Sequence, residues 1–354
     1  MAGGTEVYVT NLNPRFTGVS ATAAAVLAAQ ARDLRVALVG HPLPGCPAPI
    51  TRRQALAQAR IAPEGRTFSI WHVRRNPEMQ LALFARDVLR LPVRIVFTSA
   101  AQRRHSAWPR WLIGRMDAVI ATTEAAAGFV PGVRAVVPHG VDTARFHPAP
   151  DRAAAWAATG LPGDYGILTV GRIRPEKGTD LFVRAMIRAL PRLPGAVAVV
   201  AGMAKGGDEA FLARLKTEAA AAGLEGRILF PGEVAAERMP ALMQGCRLLM
   251  ALPRYEGYGV TPIEAMACGV PMIASQTGHF AEFAGRPGGN DQAGAIVALE
   301  DWEAAAEAAV TLLSDPARHA AWSAAARDRA ARLFGVEREA AGIRRIYEEL
   351  WSQG

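Results

Sequence analysis

The sequence predicts an α/β protein made of two doubly wound domains. Three observations carry that expectation. The chain has 354 residues, too many for one ordinary domain and comfortable for two. Half of it is hydrophobic (51%) and a fifth is charged (20%), which is globular composition. Short, almost continuous apolar runs alternate with longer helical stretches from end to end, the pattern of parallel strands buried on both faces.

In the first half the runs are residues 6–10, 35–39, 68–73, 94–99, 118–122 and 135–138. Residues 76–90 between them read as one helix, with Asn76 as cap and Pro77 at the first helical position. In the second half the runs are 166–171, 196–202, 227–232, 248–252, 272–275 and a weaker sixth at 295–299. The polar, proline-containing stretch 147–156 marks the joint, so the domains are set at 1–150 and 151–335. Residues 336–354 form an amphipathic helix with no strand after it, whose Ile/Tyr/Leu/Trp face must be buried elsewhere.

Charge is unevenly shared. Residues 1–150 hold 18 Arg and no Lys against 8 acids, a balance of +10, whereas the rest of the chain, with 22 bases and 24 acids, stands at −2. A basic first half and a neutral second half face different partners, the first an anionic one. The three cysteines, Cys46, Cys246 and Cys268, have no metal-ligand or disulfide spacing and read as reduced thiols in the cytoplasm. The N-terminal stretch has no signal-peptide pattern and no run reaches the ~20 apolar residues of a membrane span, so membrane contact is expected to be peripheral.

The chemistry concentrates in residues 254–269, RYEGYGVTPIEAMACG, where Glu256 and Glu264 bracket a glycine-rich loop. Glu256 follows a strand, at the carboxyl edge where open α/β sheets bind ligands. Thr261, Pro262 and Glu264 match N-cap, N1 and N3 of a capping box, so Glu264 has a structural reading beside a functional one. Gly257 and Gly259 allow close approach of backbone to a ligand, and a helix start suits a phosphate. In the turn GRIRPEKG (171–178), Arg172 and Lys177 can converge on one anion. Lys177 is one of only three lysines beside 37 arginines, a hint that a compact ammonium is needed there. The P-loop spacing is absent, and no dinucleotide glycine motif follows either first strand.

GRIRPEKG, EGYGVTPIEAMACGVP (256–271) and VPHGVDTARFHP (137–148) resemble the ordered signatures of retaining GT-B glycosyltransferases of family 4. The resemblance implies two facing Rossmann-like domains, with the donor held mainly by the second and the last helix crossing back to the first. It implies that Arg172 and Lys177 neutralise the diphosphate of a nucleotide sugar. Glu256 would hold sugar hydroxyls, backbone around Gly257, Tyr258, Gly259, Val260 and Thr261 would line the pocket, and Glu264 would hold the ribose. Gly18 and His72 correspond to the family's glycine-containing loop and its catalytic-site histidine. No Asp has another Asp two positions away, which agrees with metal-independent catalysis and with no cofactor beyond the donor.

Residues 70–79 taken with 97–123 are similar to a bacterial branch that adds mannose to the lipopolysaccharide core. That implies GDP-mannose as donor and a lipid-linked, acidic inner-core sugar as acceptor. Arg74, Arg75, Arg103 and Arg104 would face its carboxylates or phosphates, at the cytoplasmic face of the inner membrane. Trp108 and Trp111, among Arg110 and Arg115, read either as a membrane-interface patch or as a buried pair. A UDP-sugar donor, a nucleotide-sugar epimerase and a basic nucleic-acid-binding protein are the competing readings, though no nucleic-acid module is visible and no nucleic acid is expected as a partner. Residues 230–234 are the expected wall for the base.

Overall fold

A computed structural model describes residues 4–354. All twelve expected strands form: β1 (Val7–Asn11), β2 (Val36–Gly40), β3 (Ser69–Val73), β4 (Val93–Ser99), β5 (Ala118–Ala121), β6 (Val133–Val136), β7 (Tyr165–Val170), β8 (Ala196–Ala201), β9 (Ile228–Gly232), β10 (Cys246–Ala251), β11 (Met272–Ser275) and β12 (Gly294–Val297). They make two parallel six-stranded sheets, ordered β2-β1-β3-β4-β5-β6 and β12-β11-β10-β7-β8-β9. In each sheet the order reverses beside the first strand, between β1 and β3 and between β7 and β10. These are the switch points at which open α/β sheets bind ligands.

The chain divides at Gly140/Val141 and again at Leu333/Phe334. The expected joint at 150/151 lies ten residues later because residues 141–150 pack on the second unit. There Arg145 donates to the Ala236 carbonyl and Gln244 donates to the His147 carbonyl at 2.9 Å.

In the first unit, alternate strand residues feed two cores. Val7, Val9 and Ile70 enter one; Tyr8, Trp71 and Val73 enter the other, where the Tyr8 and Trp71 rings lie 5.5 Å apart. The first core is closed by the last helix, Val336–Trp351. Its Val336, Ile343, Ile346, Tyr347, Leu350 and Trp351 recur at helical spacing and are all buried. Trp351 Nε1 donates to the Phe68 carbonyl at 3.0 Å. Glu339 ties the other end down, accepting from Gly140 N at 2.7 Å and pairing with His139 Nδ1 at 2.8 Å. The second unit buries its own core of Ile, Leu, Val and Met around β7, β8 and β10.

The helix expected over 76–90 starts and ends differently. It runs as α-helix over Asn76–Leu83 and widens to a π-turn over Phe84–Val88. Arg75, not Asn76, is the cap residue, because the buried Glu78 carboxylate accepts the backbone N–H groups of Arg74 (2.8 Å) and Arg75 (3.1 Å).

His72, 0% exposed on β3, has both ring nitrogens engaged. Nδ1 meets the Tyr347 hydroxyl of the last helix, and Nε2 meets Thr98 Oγ1 at 2.7 Å. Burial, helped by the charges of Arg74 and His139, holds its pKa well below the ordinary histidine value. Tyr347→Phe leaves one nitrogen of that imidazole unpaired, and we expect a loss of about 1–3 kcal/mol. A lower urea midpoint at unchanged m-value is the result that checks it.

Candidate active site

The second unit's switch point is built from the turns that leave β7 and β10. After β7 the chain makes a single 3-10 turn, Pro175–Lys177, and then Gly178 in the left-handed region at φ 64°. A Cβ on Gly178 would lie 1.7 Å from the Leu252 carbonyl oxygen, so only glycine lets this turn press on the end of β10. The contact brings Lys177 beside the β10 loop. Its Nζ donates to Glu256 Oε2 at 2.7 Å, with both side chains partly buried. Glu256 is itself held, Oε1 accepting from Gly257 N at 2.9 Å and its own N–H donating to Thr277 Oγ1 at 3.3 Å.

Arg254 fixes this geometry, and sequence reasoning passed over it. Its guanidinium forks onto Asp180 at 2.8 and 2.9 Å, reaches the Pro175 carbonyl at 2.5 Å and bonds Glu300 at 2.9 Å. Its backbone N–H donates to the Glu176 carbonyl at 3.0 Å. Burial works against the Asp180 charge, but the Arg254 fork outweighs it and holds that carboxyl below its usual range. Arg254 in turn is pushed above the usual arginine value, first by its bond to Asp180.

The following helix is Val260–Ala267, with Gly259 as its cap residue at φ 87°. The capping box expected at Thr261, Pro262 and Glu264 does not form, because the helix begins before Thr261 and no side chain caps it. A Cβ on Gly259 would stand 2.1 Å from the Phe280 ring, which makes glycine the residue that fits there. Val260 and Thr261 thus present the helix start, while the Tyr258 ring turns inward and stacks on His279 at 5.1 Å. Glu264 has no capping duty. Burial pushes its carboxyl up to about 7 against the opposing pull of Arg145.

Other expected positions fall elsewhere. Arg172 is half-exposed and engaged by the Lys205 carbonyl (2.5 Å) and Asp208 (2.8 Å), not by the Lys177–Glu256 pair. Residues 230–234 begin on the edge strand β9, separated from the switch point by β8. Gly18 opens the first unit's helix Gly18–Gln30 with nothing within 4 Å of a would-be Cβ. Arg75 is committed within the first unit to Asn11, Thr17, Ser20 and Glu78, whereas Arg103 and Arg104 are exposed in the loop after β4. Among the described residues, no three His, Cys, Asp or Glu side chains converge as a metal-ligand set.

An ammonium and a carboxylate set across a switch point, beside a helix start and a second, partly buried carboxylate, are suited to an anionic ligand that also carries hydroxyls. Residues 152–329 match the family described as Glycosyl transferases group 1. Over 98% of this chain and 97% of the relative, the sequence is 43% identical to the lipopolysaccharide core biosynthesis mannosyltransferase LpsB of Rhizobium meliloti (strain 1021). The chain belongs to the group 1 glycosyl transferases. This glycosyltransferase is also 40% identical to the lipopolysaccharide core biosynthesis mannosyltransferase LpcC of Rhizobium leguminosarum bv. viciae, over 98% of this chain and 96% of that one. Its fold is GT-B. Anabaena Alr3699/HepE, solved in complex with UDP and glucose, superposes with a TM-score of 0.81 at 18% identity, covering 98% of this chain and 100% of that one.

The raised pKa of Glu264 has a consequence for the ligand-free glycosyltransferase. The folded chain holds that proton more tightly than the unfolded one, whose carboxyl titrates near the ordinary 4.5. The stabilisation is complete below that value and is lost as pH rises through about 7. Urea unfolding across this window is expected to show the loss, and Glu264→Gln is expected to flatten it.

Proposed function

We propose that the enzyme transfers mannose from GDP-mannose to an inner-core sugar of lipopolysaccharide, with retention and without a metal ion. The reading rests on Lys177 meeting Glu256 at the switch point of a chain that aligns end to end with two lipopolysaccharide core mannosyltransferases. The bond between the sugar's anomeric carbon and the diphosphate breaks, and negative charge builds on the leaving GDP. Lys177, with the helix start at Val260, stabilises that charge. Arg172 joins it on exchanging Asp208 for phosphate. Glu256 holds sugar hydroxyls and Glu264 the ribose. The acceptor hydroxyl adds to the anomeric carbon on the face the diphosphate leaves, and its proton passes to a phosphate oxygen. Fixed cations do the charge neutralisation that other transferases assign to a metal held by paired aspartates.

A lipid-linked acceptor puts the reaction at the cytoplasmic face of the inner membrane, a reading supported by an exposed aromatic pair on the first unit. No described helix is long and apolar enough to cross a membrane. Trp108 and Trp111, on the helix Ala107–Ile113, are 51% and 46% exposed and stack at 5.0 Å. The Arg115 guanidinium lies 3.7 Å from the Trp111 ring. Exposed aromatic rings among arginines suit an anionic lipid headgroup layer.

With GDP-mannose and a core acceptor, Lys177→Ala and Glu264→Ala are each expected to cut turnover at least about 100-fold, the scale of a lost transition-state contact. Each variant should still unfold in one cooperative transition, since neither side chain caps a helix. Turnover should persist in excess EDTA. Wild-type rates in both variants would refute the site, and an EDTA loss restored by magnesium would refute the metal-free step. Trp108→Ser/Trp111→Ser is expected to stop co-sedimentation with vesicles containing anionic lipid, and retained sedimentation would exclude this surface.

A further inference from the structure

The segment that leaves β11 runs beside the loop that carries Glu256 and is bonded to it at alternate residues. Ser275 Oγ, buried at the end of β11, donates to the Pro253 carbonyl at 2.7 Å. Thr277 Oγ1 accepts from Glu256 N at 3.3 Å, and His279 N donates to the Tyr258 carbonyl at 3.1 Å. Between them Gly278 sits at φ 59°, where an added Cβ would stand 2.9 Å from the Tyr258 carbonyl oxygen and 3.2 Å from Glu256 Cγ. The segment is itself anchored, since Gln276 N donates to the Val297 carbonyl of β12 at 2.9 Å. A loop that contains Gly257 and Gly259 has little stiffness of its own, so this anchored strip decides where Glu256 stands.

We propose that Thr277 is a positioning residue of the transfer reaction: it fixes the main chain of Glu256, so that the carboxylate meets the sugar of the donor, while the nucleotide is held without it. The proposal rests on the transferase reading above. In the ligand-free chain Glu256 is bonded to Lys177, Gly257 and Thr277, and donor binding removes the first of these. Once Lys177 turns to the diphosphate, its 2.7 Å bond to Glu256 Oε2 is given up. The bond from Gly257 N to Oε1 stays, but Gly257 is the next residue and moves with the loop. Among the described residues, Thr277 Oγ1 is then the one remaining hydrogen-bond partner of Glu256 outside its own loop. A carboxylate that swings with a free loop keeps its charge but loses the alignment that tells one sugar hydroxyl from another. The diphosphate lies against Lys177 and the helix start at Val260 in this reading, so nucleotide binding does not depend on the Thr277 bond.

The test is isothermal titration of the full chain, without acceptor, with GDP-mannose and GDP and with UDP-glucose and UDP. Thr277→Val, which keeps the branched shape and removes the hydroxyl, is expected to weaken the nucleotide sugar at least about 5-fold and to leave its free diphosphate within about 2-fold of wild type. Thr277→Ser, which keeps the hydroxyl, should restore the wild-type ratio. In a Glu256→Ala background the Thr277→Val change should add less than about 2-fold, because a residue that acts through Glu256 has nothing left to position. A single cooperative unfolding transition shows that each variant is folded; if Thr277→Val fails this control, Thr277→Ala decides by the same limits. The proposal is overturned if the variant binds nucleotide sugar as wild type does, if the loss falls equally on the free diphosphate, or if the loss is undiminished without the Glu256 carboxylate. The donor reading fails separately. A wild type that binds UDP-glucose and not GDP-mannose, and still shows this pattern, would sink that reading and leave this one standing. Mannose transfer with unchanged donor kcat and KM in Thr277→Val would do the reverse. Binding of neither nucleotide sugar overturns both.

Discussion

Arg254 is the contact on which the candidate site depends. It joins the turn after β7, through the carbonyls of Pro175 and Glu176, to Asp180 on the following helix and to Glu300 beyond β12. It does so from the loop that carries Glu256. Lys177 and Glu256 come from segments 79 residues apart, and their 2.7 Å separation means little unless those loops hold still. A planar fork on a carboxylate, with its remaining N–H groups on a carbonyl and a second acid, fixes direction as well as distance. A lysine in its place would supply the charge without the fork. Gly178 completes the constraint by removing the one carbon atom that would hold the turn off β10.

The sheets were legible because apolar runs buried on both faces signal parallel strands directly; each of the twelve formed within two residues of its expected place. Element starts were less legible, for a physical reason. Thr261-Pro262-x-Glu264 has the composition of a capping box, yet the helix begins earlier because Gly259 packs under the Phe280 ring. The decision was made by a residue about twenty positions away. The helix at Asn76 behaves alike: the Glu78 carboxylate reaches back to two N–H groups and makes Arg75 the cap residue. Within the site, Lys177 and Glu256 could be found from loop chemistry. Arg254 could not, since Asp180 lies 74 residues before it and neither residue carries a local motif.

Charge was legible as a total and not as a distribution. The excess of arginine in the first 150 residues pointed to an anionic partner. Many of those arginines serve the fold instead. Arg86 and Arg94 share Asp117, and Arg66 pairs with Glu348 while lying over Trp351. Arg75 binds the β1 loop to the β3 loop. The sum reports a field; only the individual bonds say which guanidinium remains for a ligand.

The candidate site pairs opposite charges. In the second unit a cation and an anion are held against each other, so the ligand-free site stays near neutral and each group keeps its position in a partly desolvated place. A ligand with an anionic end and a hydroxyl-bearing end can satisfy both at once, giving the ammonium a phosphate and the carboxylate a set of hydroxyl donors. A simple anion satisfies only one of them and strands the other. Such a pairing favours a molecule that carries both features over a free phosphate.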